Sequence, residues 1–187
     1  MFLVGECELN LVANDKAFRV FQTFYRYGKN TNNDDIHQFF FLYALIDNLA
    51  REFTKSKAKE LKERGLSVPK EDCDKLRYFL HEILNSDSYK IYFNCFNPIK
   101  RLEEEKKTLL IKDLKKGKNL IADEESKKSF SAIVALFMKI AYLRNKIFHG
   151  DIDFIQDRTF QIIREAAIVL EDFCDCLFNL ISSADKD

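Results

Sequence analysis

The chain lacks tryptophan and carries only 2 prolines and 5 glycines in 187 residues. A many-stranded β fold spends those residues on its turns, so their scarcity argues for long helices. Net charge is also missing, because 30 Lys and Arg are balanced by 30 Asp and Glu. No global positive field gathers nucleic acid, and any contact with a phosphate backbone must come from a local patch. No apolar run approaches the roughly 18 residues of a spanning helix, so no membrane segment is expected. Met1-Phe2-Leu3-Val4-Gly5 is too short for a signal peptide, and Glu6 interrupts it. The cysteines are Cys7, Cys73, Cys95, Cys174 and Cys176. Their odd number, without secretory features, predicts reduced thiols and a cytoplasmic location.

Apolar bulk is abundant. With 18 Phe and 47% hydrophobic residues, the chain can fill a sizeable core, and one domain over 1–187 is expected. Residues 1–14 are ambiguous between strand and helix start. Asp15 can cap a short helix bearing Phe18, Phe21 and Tyr25, which Gly28 would end. Ile36, Phe39, Phe40, Tyr43, Ile46, Ala50 and Phe53 then form one stripe of a long helix to about residue 64, and Gly65 closes it. Asp47 lies on that stripe as well.

Pro69 suits the first turn of a third helix carrying Leu76, Phe79, Leu80, Ile83 and Leu84. Residues 89–97 read as a short helix or an extended connector. Asn97-Pro98 starts a fourth helix to about residue 116, thinly apolar between charges. Segment 97–118 is therefore expected to be an inserted charged helix or a dimer arm. Asp123-Glu124-Glu125 is an acidic first turn for a fifth helix. In the last helix, Phe160, Ile163, Ala167, Leu170, Cys174, Leu177 and Ile181 keep strict three-four spacing, a packing seam.

The fifth helix poses a problem. Phe130, Ile133, Val134, Phe137 and Ala141 recur at spacings of three and four, and Arg144 continues their stripe. A permanently charged guanidinium thus points toward the core side, which is costly unless it is paired or meets an anion. Five residues on, His149 is followed at once by Gly150, a helix-stopping residue. On an unbroken helix His149 would sit about 140° around from Arg144. A break near Gly150 is expected to free the imidazole to turn back toward the arginine.

Arg144-Asn145-Lys146-Ile147-Phe148-His149-Gly150 resembles the Arg-x4-His motif of the HEPN superfamily, with its polar residue after the arginine and glycine after the histidine. The resemblance covers roughly residues 36–53 and 130–182. It implies an all-α, HEPN-like up-and-down bundle of about five to seven helices. It also implies a metal-independent endoribonuclease in which two copies of the motif face each other across a homodimer. Asp47, with Asn48 beside it, matches the further polar position that some members carry on the earlier long helix. In such families the setting is often a toxin or defence protein, with an antitoxin or other regulatory protein as partner.

The residue types fit that chemistry. The 2′-hydroxyl of RNA can attack the adjacent phosphate, leaving a 2′,3′-cyclic phosphate and a 5′-hydroxyl. The reaction needs a proton carrier near neutral pH, and histidine ordinarily titrates at about 6.5. It also needs cation on the phosphate, and a guanidinium fork matches phosphate oxygens. Asn145 would orient His149 or hold a phosphate oxygen, and Asp47 would hold Arg144 by an ion pair. Neither a metal nor a cofactor is called for. One histidine per chain leaves the acid or the base to a second copy.

Each feature has a plainer account. Arg144 paired with Asp47 and His149 capping a helix end would be structural. The bundle would then be a non-catalytic HEPN-like module for dimerisation or for nucleotide or partner binding. Cys174 and Cys176 are about 200° apart on a helix and do not form a metal or redox pair. His37 and His81 lack partners at metal-ligand spacing. Lys112, Lys115, Lys116 and Lys118 are the best local basic patch for RNA, or else a solvated helix end.

Overall fold

The computed structural model describes residues 35–86, 91–115, 130–150 and 157–184. The helix expected over 15–28, the acidic turn expected at 123–125, and Lys116 and Lys118 lie outside them. The described residues are all-helical, a bundle of six helices: α1 (Asp35–Glu63), α2 (Asp72–Asn85), α3 (Pro98–Glu104), α4 (Leu109–Lys115), α5 (Phe130–Phe148) and α6 (Asp157–Ala184).

α1 is the organising helix and packs on both α2 and α6. Its inner face is the expected stripe, with Phe39, Tyr43, Ile46, Ala50 and Phe53 all buried. Asp35 in its first turn and Lys62 in its last suit the helix dipole. Gly65 takes φ of 69°, its N–H reaches Lys62 O at 3.0 Å, and Leu66 N–H reaches Leu61 O at 2.8 Å. Those are the paired bonds of a Schellman stop, which needs a left-handed residue.

Two expectations are corrected. α2 begins at Asp72, not at Pro69: Glu71 is extended, and Asp72 and Asp74 place two carboxylates against the helix's positive end. The expected single charged helix over 97–118 is two short helices folded down onto α5 and α6. The break falls at Lys106, which takes φ of 57° while Lys107 N–H bonds Leu102 O at 2.7 Å and Lys106 N–H bonds Glu103 O at 3.0 Å. A lysine occupies the place that glycine usually fills, at a cost of roughly 1 kcal/mol. Nothing in the residue types announces that turn.

What holds α3 and α4 down is apolar contact plus one buried carboxylate. Ile99, Leu102, Leu110 and Ile111 are fully buried. Glu165 of α6 is only 3% exposed. Its carboxylate accepts Leu109 N–H at 3.0 Å and Leu110 N–H at 2.7 Å. It caps the N-terminus of another helix, satisfying two donors that would otherwise be orphaned. Arg101 of α3 is ion-paired with Asp172 of α6.

The core centres on Phe173 of α6. Its ring packs on Phe137 at 4.8 Å, Phe93 at 5.3 Å, Phe96 at 5.4 Å and Phe79 at 6.5 Å. Rings from α2, α5, α6 and the 91–97 connector therefore meet there, and the core fixes how α5 is seated. Within the described residues no helix is long and apolar enough to cross a membrane.

Candidate functional site at the end of α5

α5 delivers Arg144, Asn145 and His149 to its C-terminal end, where it meets α1. The two helices run antiparallel there. Phe148 packs edge-on to Phe40, with ring centres 5.3 Å apart, and four residues earlier Arg144 lies over Tyr43. The core-facing stripe of α5 thus ends in a half-buried arginine against the buried tyrosine of α1.

The guanidinium is held on three sides. Its centre is 5.5 Å from the Tyr43 ring and 4.3 Å from the Phe148 ring. Its Nη1 donates to Asn145 Oδ1 at 2.9 Å. Phe148 is in place because it follows Arg144 by four residues, one turn of helix. Yet Phe148 is 63% exposed, so one wall of the sandwich faces solvent. Among the described residues no carboxylate pairs with Arg144. Its polar partner is a neutral amide, and its two other neighbours are π faces.

The expected Arg144–Asp47 pair is therefore corrected. Asp47 accepts Arg51 Nε at 3.0 Å, and Arg51 Nη2 also reaches Asp72 Oδ2 at 2.8 Å. Asp72 in turn accepts Lys75 Nζ at 3.1 Å. Arg51 wins because it stands one turn along the same helix, where side chains meet directly. The network fastens α1 to α2 and leaves the charge of Arg144 unanswered by Asp47. Asn48 is exposed on α1 and holds nothing of Arg144 either.

Asp47 still acts on the site through Tyr43. Burial pushes the Tyr43 hydroxyl up to about 12, the charge of Asp47 adds to the rise, and Arg144 pulls the other way. The phenol stays protonated at every ordinary pH, a neutral platform under the cation.

The break expected near Gly150 falls just after His149. The His149 N–H bonds Asn145 O at 3.0 Å, so helical geometry continues through it. The stop comes one residue later, where Gly150 takes φ of 71° and bonds Ile147 O at 3.1 Å. Helical geometry up to that bond would set His149 about 140° around from Arg144. Asn145 is next to Arg144 in sequence and one turn before His149, so it stands between them. The histidine itself is exposed. A half-buried fixed cation, an amide and a solvent-facing imidazole thus share one helix end.

Other expected features fall elsewhere. Lys112 is exposed on α4, and Lys115 is that helix's last residue, away from the end of α5 in sequence and in element. Cys174 is buried in the seam, and burial pushes the Cys176 thiol up to about 11, with Asp175 adding to it. His81 is exposed and meets the Phe130 ring edge-on at 5.3 Å. Among the described residues no three His, Cys, Asp or Glu side chains cluster as metal ligands would.

Over its 19 residues α5 carries Lys139, Arg144 and Lys146 and no Asp or Glu.

Compared with family models, with curated proteins and with solved structures, this chain matches none.

Proposed function

We propose that the end of α5 binds an RNA phosphate and that the protein is a metal-independent endoribonuclease of the HEPN type. The observation that carries it is the setting of Arg144. Its guanidinium is oriented by Asn145 and two aromatic rings and has no carboxylate partner among the described residues. A cation fixed in that way is ready for a phosphate and loses little freedom on meeting one. His149, exposed one turn beyond Asn145, supplies a proton carrier at the same helix end. The attack is internal: the 2′-oxygen gives its proton to a base, bonds to phosphorus, and the 5′-oxygen leaves with a proton from an acid.

His149 stands well round the helix from Arg144 within one chain. A second copy, related by a two-fold axis, would set its His149 against this Arg144 and provide both acid and base. Homodimerisation is thus part of the proposal, and a toxin or defence role with a regulatory partner would follow from the motif's resemblance. The test is incubation of the protein with RNA in EDTA. Cleavage leaving 2′,3′-cyclic phosphate ends, with DNA of the same sequence uncut, supports the proposal. RNA left intact, or cut only after a divalent cation is restored, overturns it and leaves a helical binding module.

A further inference from the structure

We infer that the hydroxyl of Tyr43 is a second donor to the phosphate held by Arg144, so that this tyrosine of the core also belongs to the binding site. This deepens the proposed function and rests on it for the identity of the phosphate.

Tyr43 is 7% exposed, and its ring is part of the inner face of α1. Its spacing from Phe39 and Ile46 accounts for the ring and gives the hydroxyl no task. A phenol buried this far ordinarily finds a hydrogen-bond partner. Asp47, one turn further along the same helix, is the obvious acceptor, but its Oδ2 is turned to Arg51 Nε at 3.0 Å. Among the described residues the Tyr43 hydroxyl has no partner, and none of their side-chain nitrogens or oxygens is both sealed from solvent and unpartnered. The ring is therefore inside while the oxygen reaches the surface, where a group from outside the chain can meet it.

The hydroxyl stands beside Arg144. The guanidinium carbon lies 5.5 Å from the ring centre, and the charge of Arg144 is felt at the hydroxyl. Two hydrogen bonds of about 2.8 Å with an anion between them reach across such a gap. A guanidinium can only donate, so Arg144 Nη1 faces the oxygen of the Asn145 amide and leaves that amide's own N–H groups to point elsewhere. Cation, amide and phenol all offer hydrogen to whatever enters, and that calls for an oxyanion. A phosphodiester has two unesterified oxygens that diverge, one for each of Arg144 and Tyr43. The phenol keeps its proton at every ordinary pH, so it meets the anion as a donor and never as a like charge. The carboxylates that act on it, Asp47 and Asp72, are both bound by Arg51, at 3.0 and 2.8 Å, and do not face the anion bare.

The test uses the full chain carrying His149→Ala, so that bound RNA is not consumed. Binding of a fluorescein-labelled oligouridine is followed by fluorescence anisotropy over a range of salt. Tyr43→Phe removes the hydroxyl and keeps the ring. It should weaken binding about tenfold, the worth of a hydrogen bond to a charged group. The lost donor is neutral, so the slope of log K against log salt should stay the same, while Arg144→Gln should flatten it by about 0.7. The hydroxyl has no protein partner to lose, so the melting temperature at neutral pH should stay with the parent's. Oligodeoxyuridine should suffer the same loss, because the contact is to phosphate. Unchanged affinity in Tyr43→Phe overturns the inference, as does failure of the parent to bind oligouridine. So does a loss confined to RNA, which would assign the hydroxyl to the 2′-oxygen. A flattened salt slope or a lowered melting temperature in Tyr43→Phe overturns it too, since the variant would then act by moving Arg144 or loosening the fold. If Tyr43→Phe weakens binding while protein with His149 intact leaves RNA uncut in EDTA, the inference stands and the ribonuclease proposal falls. If that protein cuts RNA while Tyr43→Phe binds as the parent does, the reverse holds.

Discussion

The Phe148 ring covers the Arg144 guanidinium at 4.3 Å, and it does so from the solvent side. An aromatic ring that is 63% exposed adds little to the core, so its contact with the arginine is the contribution to examine. Phe148→Ala should cost only about 1 kcal/mol of stability or less. It should nonetheless lower RNA cleavage, because the guanidinium then keeps only the Asn145 bond and the Tyr43 face. Phe148→Tyr keeps a face over the cation and should keep cleavage. Thermal melts and initial cleavage rates read the two effects apart. Native cleavage in a folded Phe148→Ala protein would show that the ring does not position the arginine.

Tyr43 makes a prediction in alkali. Its hydroxyl is held up to about 12 in the fold, against 10.0 for a free phenol. The unfolded chain therefore sheds this proton first as pH rises, and stability conferred by the neutral buried phenol is full below pH 10 and lost between about 10 and 12. The loss is on the order of 2 kcal/mol. Tyr43→Phe keeps the ring under Arg144 and removes the titration. Denaturant melts of the two proteins from pH 9 to 12 should diverge from neutral behaviour differently, with wild type falling more steeply. Parallel curves would mean that the phenol ionises as easily in the fold as in the unfolded chain.

Glu165 tests why the 98–115 segment lies against the bundle. Glu165→Ala leaves the Leu109 and Leu110 N–H groups without their carboxylate and should destabilise by about 1–3 kcal/mol in urea unfolding. Glu165→Gln keeps an acceptor oxygen and should cost less. Proteolysis should open the 98–115 segment first in the Ala variant. An Ala variant as stable as wild type would show that apolar contact alone seats α4.

Much of this was legible in the residues. The inner faces of α1, α5 and α6 follow from three-four spacing of Phe, Leu and Ile over many turns, except that Phe160, expected on the α6 seam, is 37% exposed in that helix's first turn, where the packing has not yet begun. Arg144 at the inner edge of α5 was readable for the same reason. Its neighbours were not. Arg51, one turn on from Asp47, was a readable partner for it, but that Arg51 also reaches Asp72 across the α1–α2 turn is a tertiary fact. The break at Lys106 hid because its left-handed residue is a lysine. His149 was expected to swing back at Gly150, but the helix spends one more hydrogen bond on His149 before the glycine acts.

The central claim is that His149 and Arg144 serve one phosphate. Its most direct measurement is the rate at which purified His149→Ala protein, with a native melting curve, cuts RNA in EDTA beside the wild type. The account predicts a fall of about 10²–10⁴-fold, the usual worth of a lost proton carrier. Cleavage by the variant at the wild-type rate would contradict it.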